Sequence, residues 1–265
     1  MHQIRATKFV KVTATLFFAS LAGPILLSAA ALNGNLSLSS HGTETIAVNG
    51  LAIDFDFSGT TTNGFPPVVS SGTVDGTGDS GLFDITEAST GSFAGISGTT
   101  ATVHDLSATM QPTGSTTGPG LPLTSFITFS AQPGWNITLT DLLAGTDNNT
   151  CNGTVATCTP AGSPFNLQNE SGNQVLVGFA FLGTATDGSG NLSNVAGTFS
   201  TTFSDTNYQA ILADLSAGES VVSSASATIG VTPITTTPEP ASIYMLLLGS
   251  ALLIAPAAYR RHQRR

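Results

Sequence analysis

Carboxylates near glycine-rich turns are the side chains of this sequence with the clearest capacity for chemistry. Asp75, Asp79 and Asp84 lie on or beside one glycine-rich loop, and Asp54 and Asp56 alternate along a predicted strand. Hard oxygen ligands on flexible loops are what calcium binds in proteins. The loop lacks a bidentate glutamate at its twelfth position, which excludes an EF-hand. Calcium binding is therefore one interpretation of these aspartates, and solvated turn residues are the other.

A serine nucleophile is the second chemistry that the residue types allow. His41, then Asp54 or Asp56, then Ser80 gives one chain order of a histidine base, an orienting carboxylate and a nucleophile. The stretch from His41 to Ser80 is far too short for a protease built from two barrels. We therefore interpret residues 78–81 as a glycine-rich turn.

Glycoside hydrolysis is the third chemistry, because it needs only a pair of carboxylates. Trp135 and Tyr208 are the only tryptophan and tyrosine ahead of the C-terminal apolar run, so a sugar would find few aromatic platforms. We predict a protein that is not an enzyme, with a hydrolase as the least favoured alternative. No catalytic, cofactor-binding or metal-binding residue is assigned.

The two cysteines, Cys151 and Cys158, lie in a loop rich in Asn, Gly and Thr. In an oxidising compartment such a pair is expected to form a local disulfide that closes the loop. Zinc binding is disfavoured, because no histidine is nearby.

Basic side chains are confined to the two ends of the chain. Of seven Lys and Arg residues, three precede Val12 and four follow Tyr259, whereas all sixteen acidic residues lie between Glu44 and Glu239. A surface without Lys or Arg cannot neutralise phosphates, which excludes nucleic acid as a partner. The fold must then depend on burial and hydrogen bonding rather than on salt bridges.

Strand periodicity dominates residues 32–231, which we predict to form one extracellular domain. Residues 51–58 alternate between apolar and polar side chains, which places Asp54 and Asp56 on the outer face of a half-buried strand. Residues 175–182 are apolar or small at every position, as in a central strand covered on both faces. About nine to eleven such strands favour an all-β fold, an antiparallel β-sandwich of which a jelly roll is one form.

One short helix is predicted near the end of this domain. Four residues recur there at helical spacing: Tyr208, Ile211, Leu212 and Leu215. Asp205 or Thr206 is expected to cap its start, and Gly218 to end it. Residues 221–231 are predicted as the last strand, and residues 232–237 as a linker.

The N-terminus has the three parts of a secretory signal peptide. Arg5, Lys8 and Lys11 precede an apolar run at residues 12–27, and small residues follow at 28–31. We predict that residues 1–31 form a signal helix that directs the chain to the Sec translocon and is removed by signal peptidase. An N-terminal membrane anchor is the alternative.

The C-terminus combines a glutamate between two prolines, an apolar run and a basic tail. These parts are Pro238, Glu239 and Pro240; residues 243–259; and Arg260, Arg261, Arg264 and Arg265. The apolar run would form a helix of roughly 25 Å, the lower end of what crosses a bilayer. By the positive-inside rule the arginines stay cytoplasmic, and the rest of the chain lies outside.

This arrangement resembles the PEP-CTERM sorting signal of exported bacterial proteins. The resemblance covers residues 238–265, where order, spacing and terminal position agree together. It implies recognition by an exosortase-type membrane transpeptidase, removal of the tail, and release or attachment at the cell surface. A plain C-terminal membrane anchor is the alternative.

These features together predict an exported protein of the cell surface or of an exopolysaccharide matrix, anchored in the membrane until its tail is processed. The matrix role, with exopolysaccharide as partner, is implied by the resemblance alone. A calcium-assisted carbohydrate-binding or adhesion module is the alternative function.

Overall fold

The computed structural model describes residues 30–234, except residues 50–51, 63, 75–79, 111–117, 147–150 and 154. Nearly all of the predicted signal peptide, the whole sorting signal, Asp75 and Asp79 lie outside the described residues. Within the described part, no helix has the length and apolar character needed to cross a membrane.

The described residues contain sixteen strands, one α-helix and two short 3₁₀ helices. The strands are β1 (Gly34–Ser40), β2 (Thr45–Val48), β3 (Ala52–Phe57), β4 (Thr60–Thr61), β5 (Val69–Ser71), β6 (Ser80–Ile85), β7 (Thr100–His104), β8 (Leu106–Ser107), β9 (Leu123–Phe129), β10 (Asn136–Leu142), β11 (Thr157–Cys158), β12 (Phe165–Glu170), β13 (Gln174–Thr186), β14 (Leu192–Phe203), β15 (Val221–Ser223) and β16 (Ser226–Pro233). The helix α1 spans Tyr208–Ser216, and the 3₁₀ helices span Gly91–Ile96 and Ala108–Met110.

Ten strands form one antiparallel sheet in the order β10-β9-β7-β6-β1-β16-β14-β13-β12-β11. Because β10 also pairs with β13, the eight strands from β10 to β13 close into a ring, here called the closed sheet. The predicted all-β antiparallel class with one short α-helix is confirmed. The predicted two-layer sandwich is wrong, because the main sheet pairs with itself instead of facing a second sheet along its length.

The two longest strands extend beyond the ring. β13 and β14 pair over twelve positions, from Val175–Phe203 to Thr186–Leu192. β13 pairs with β10 only through Phe181–Thr186, and its first half, Gln174–Phe179, pairs with β12 instead. This extension therefore projects from one end of the closed sheet and carries β12 and β11 on its edge.

A second sheet, in the order β15-β2-β3-β8, packs against the same end. The Phe55 ring on β3 lies 5.9 Å from that of Phe83 and 5.3 Å from that of Phe199, measured between centroids. β3 crosses β6 at Gly81, where a Cβ atom would lie only 2.0 Å from the Phe55 carbonyl oxygen. Glycine is therefore what allows the two backbones to approach this closely.

Aromatic side chains fill the interior of the closed sheet. Phe126 packs edge-on against Phe181 at 5.5 Å and against Phe199 at 6.1 Å. At the end opposite the second sheet, the 3₁₀ helix Gly91–Ile96 places Phe93 5.9 Å from Trp135. The core is thus closed by apolar side chains at both ends.

The strand that was expected to be covered on both faces has one open face. Leu176 and Leu182 on β13 are 36% and 38% exposed. The prediction that residues 175–182 are buried on both sides is wrong, because β13 turns Val175, Phe179 and Phe181 toward the core and Leu176 and Leu182 outward.

The region expected to form the last strand is divided between two strands, which belong to different sheets. Residues 221–223 form β15 of the second sheet, and β16 of the closed sheet begins at Ser226. Thr232 and Pro233, placed in the linker by the sequence, belong to β16. Apolar alternation continues through both strands, so periodicity did not reveal the change of sheet.

The predicted helix is confirmed as α1, and its end at Gly218 agrees with a φ of 84° there. The N-cap is Asn207, not Asp205 or Thr206. The Asn207 side chain accepts a hydrogen bond from the backbone N–H of Ala210 at 3.0 Å. This is the usual N-cap geometry, in which a polar side chain satisfies a free N–H of the first turn.

The two ends of the described chain lie together. Gly34 of β1 pairs with Val231 of β16, and Ser193 of β14 pairs with Pro233. The Ser193 hydroxyl also donates to the Leu32 carbonyl oxygen at 2.7 Å. The chain therefore enters and leaves the closed sheet at one end, and the β13–β14 extension is at the other.

Candidate functional site

An apolar pocket of about 230 Å³ lies where the β13–β14 extension meets the second sheet and α1. Its walls include Ile53 and Phe55 from β3, Phe179 and Phe199 from the extension, and Leu212 from the helix. α1 presents Leu212 to the pocket because its apolar residues recur at three- and four-residue spacing. Large apolar pockets of this kind are the default binding-site hypothesis in a structure without a known function.

Phenylalanine rings form one wall of the pocket. Phe165 meets Phe179 edge-on at 5.6 Å, and Phe179 stacks on Phe199 at 5.4 Å with an interplanar angle of 16°. None of the described residues that line the pocket carries an ionisable side chain. The arrangement offers contact to apolar groups and supplies no acid or base for chemistry.

A covalently closed loop lies beside the pocket and is tied to α1. The sulfur atoms of Cys151 and Cys158 lie 2.15 Å apart, at disulfide distance, as the sequence predicts. The Tyr208 hydroxyl at the start of α1 donates to the Val155 carbonyl oxygen within this loop at 2.9 Å. The same residue's backbone N–H donates to the Asn169 side chain at 2.8 Å. The loop and β12 together therefore fix where the helix begins.

Three carboxyl groups cluster at β3. One oxygen from each of Asp54, Asp56 and Asp105 lies within 4.8 Å of the others. Asp54 and Asp105 are each only 4% exposed, and the Asp105 side chain accepts a hydrogen bond from the backbone N–H of Phe55 at 2.8 Å. Oxygen ligands of this type are those that calcium takes. These three residues are the described ones that could hold a metal ion.

The outward orientation predicted for Asp54 is wrong. The sequence placed both β3 aspartates on a solvent-facing surface, whereas Asp54 is buried. β8, which starts at Leu106, pairs with the edge of β3, and this pairing brings the buried Asp105 next to Asp54. Asp105 was not predicted to belong to this cluster, although it directly follows a strand that contains Thr100, Thr102 and Val103.

The remaining residues considered for catalysis or metal binding lie at other places in the fold. Asp84 pairs with His41, whose Nδ1 lies 2.7 Å from Asp84 Oδ1. Ser80 lies opposite His104 in the β6–β7 pair, and His104 is half-buried on β7. His41, just after β1, therefore contacts Asp84, whereas Asp54 and Asp56 cluster with Asp105 at β3 and Ser80 begins β6.

The exposed His41–Asp84 pair has a testable pH dependence. The hydrogen bond to Asp84, followed by the attraction of its charge, raises the pKa of His41 above its ordinary value of 6.5. The stabilisation is present below the unfolded-state pKa and is lost as pH rises through the folded-state pKa. We expect a ring-proton NMR titration of His41 to show a lower pKa in Asp84→Asn than in the unchanged protein. An identical titration in both proteins would show that the pair does not form in solution.

Comparison of the chain with protein families, with curated proteins and with solved structures finds no match.

Proposed function

We propose that this is an exported, non-enzymatic protein of the cell surface or exopolysaccharide matrix, delivered by its C-terminal sorting signal. The observation that carries the proposal is the common position of the chain ends. Leu32 follows the predicted signal peptide, and Ile234 precedes the sorting signal. Both residues lie at the same end of the closed sheet, where they bond to Ser193 and Leu192 of β14. A membrane-attached precursor would then project its opposite end, with the pocket and the closed loop, away from the membrane.

Two further features support export. The cysteine pair at disulfide distance suits an oxidising compartment, since cytosolic thiols are kept reduced. The part of the chain between Val12 and Tyr259 has no Lys or Arg. The stretches that flank the two predicted membrane segments on their outer sides therefore hold no positive charge, as the positive-inside rule requires.

Mass spectrometry of the protein from its native host tests the processing step. Trypsin is unsuitable because the domain lacks Lys and Arg, but cleavage ahead of aspartate gives a C-terminal peptide beginning at Asp214, the last aspartate of the chain. We expect this peptide to end near Pro238 or Glu239, free or covalently extended.

A pair of variants makes the same experiment specific for the motif. Glu239→Ala removes the only charge between the prolines and is expected to leave the tail attached through Arg265. Glu219→Ala, the matched change outside the motif, is expected to be processed normally. An intact tail in the unchanged protein at the cell surface would contradict the proposal and favour a plain anchor.

A further inference from the structure

We propose that the pocket between the β13–β14 extension, the second sheet and α1 binds a neutral, ring-containing apolar molecule about the size of two fused rings. The proposal is independent of the sorting signal, because it rests only on residues of the folded domain. It assigns a ligand class to the end of the domain that lies away from the chain termini.

The size of the cavity sets the size of the ligand. A dry protein cavity of about 150 Å³ lined by Leu, Ile and Phe takes up benzene. At about 230 Å³, this pocket is larger by roughly half and has the same kind of lining. An apolar body of on the order of ten carbon atoms therefore fills it.

The walls favour a ring over a flexible chain. Phe165, Phe179 and Phe199 form a continuous aromatic surface through one edge-on and one stacked contact. A planar ligand can extend this series with offset-stacked or edge-to-face geometry, which adds to the gain from burial alone. A rigid ring also loses less conformational freedom on binding than an alkyl chain.

The polar side chains of the pocket are already engaged within the protein. The Ser163 hydroxyl accepts a hydrogen bond from the Phe165 N–H at 3.1 Å, and the Thr201 hydroxyl is bonded to Ser223 and to the Ser224 carbonyl oxygen. A ligand rich in polar groups would lose its hydrogen bonds to water without full replacement. Hydrocarbon character is therefore what the pocket selects.

The charge of a ligand is the property that should change its affinity for the pocket most. No ionisable side chain is among the described lining residues, and no Lys or Arg occurs between Val12 and Tyr259 to receive an anion. Moving an unpaired charge from water into apolar surroundings is strongly unfavourable. A neutral ring compound and its carboxylate analogue should therefore differ greatly in affinity.

Titration of the exported protein with naphthalene and with 2-naphthoate, followed by ligand-observed NMR and ligand fluorescence, tests the proposal. We expect saturable binding of one naphthalene per chain, with 2-naphthoate at least tenfold weaker. Absence of saturable naphthalene binding by folded protein, or equal binding of the carboxylate, would overturn it.

Adjacent residues on β13 provide a matched pair of variants. Val177 lines the pocket, whereas Leu176 points to the outer surface and is 36% exposed. Val177→Phe fills the cavity and is expected to weaken naphthalene binding at least tenfold, while Leu176→Phe leaves it within twofold. Near-UV circular dichroism shows whether Val177→Phe folds. If it does not, Leu212→Trp, which fills the pocket from α1, replaces it in the binding experiment. Equal affinity in the pocket-filling and surface variants would place the ligand elsewhere and refute the proposal.

Discussion

Phe199→Ala is expected to lower the free energy of unfolding by about 3–5 kcal/mol, the range measured when a buried phenylalanine is cut back to alanine. The Phe199 side chain is 2% exposed and lies where the closed sheet, the β13–β14 extension and the second sheet meet. Its ring centroid lies within 6.1 Å of five other rings, those of Phe55, Phe83, Phe126, Phe179 and Phe181. Removing it leaves a void between elements that cannot all collapse inward together.

The loss is measurable by chemical denaturation and by thermal unfolding. For a domain of about 200 residues, this change in free energy corresponds to a fall in Tm of roughly 10 °C. Leu192→Ala on the same strand is the control, because Leu192 is 50% exposed and its removal opens no cavity. If Phe199→Ala lowered the free energy of unfolding no more than Leu192→Ala, the cluster of phenylalanine rings around Phe199 would not form in solution.

Hydrogen bonds of serine and threonine side chains connect parts of this domain, as salt bridges do in many other proteins. His41–Asp84 is the one ion pair found in the part of the chain that the structure describes. In contrast, the Ser40 hydroxyl donates to the Ala225 carbonyl oxygen at 3.1 Å and accepts from the Ala225 N–H at 2.9 Å. This contact joins the end of β1 to the crossing from the second sheet into β16. It agrees with the expectation that a domain lacking Lys and Arg relies on burial and neutral hydrogen bonds.

Local features were predictable from sequence because their causes are local. Alternation identified the strand at β3, and helical spacing identified α1. Cys151 and Cys158 are close enough in sequence to meet within one loop, so their pairing needed no knowledge of the fold. The choice of Asn207 as N-cap was missed because Asp205, Thr206 and Asn207 are all suitable cap residues and differ only in backbone conformation. Asp205 adopts a φ of 57°, whereas Asn207 is extended, as an N-cap must be.

Sheet closure and the pocket depend on contacts that no local pattern contains. β10 pairs with β9 beside it in sequence and also with the second half of β13, and only the second pairing closes the ring. The pocket likewise brings together Ile53, Phe179 and Leu212, which belong to different elements. The burial of Asp54 is of the same kind, since alternation marks its face as outer and only the fold places the buried Asp105 beside it.

Gly81→Ala is expected to destabilise the domain by about 3 kcal/mol, the upper end of the usual cost of overpacking. Gly81 is buried on β6, and the nearest atom to an added Cβ is the Phe55 carbonyl oxygen, at 2.0 Å. Backbone cannot rotate away as the tip of a side chain can, so β3 would have to move by more than 1 Å. Such a shift would strain the hydrogen bond from the Phe55 N–H to Asp105 and the contact of the Phe55 ring with Phe199.

The competing effect of the same substitution is smaller and has the opposite sign. Replacing glycine by alanine restricts the unfolded chain and stabilises by about 0.4–1 kcal/mol where the native backbone permits it. Gly95 in the 3₁₀ helix is the matched site, because nothing lies within 4 Å of an added Cβ and its φ is not in the left-handed region. We expect denaturant unfolding to show Gly95→Ala at least as stable as the unchanged protein and Gly81→Ala clearly less stable. Equal stability of the two variants would mean that β3 does not cross β6 at Gly81, and the second sheet would then have to pack elsewhere.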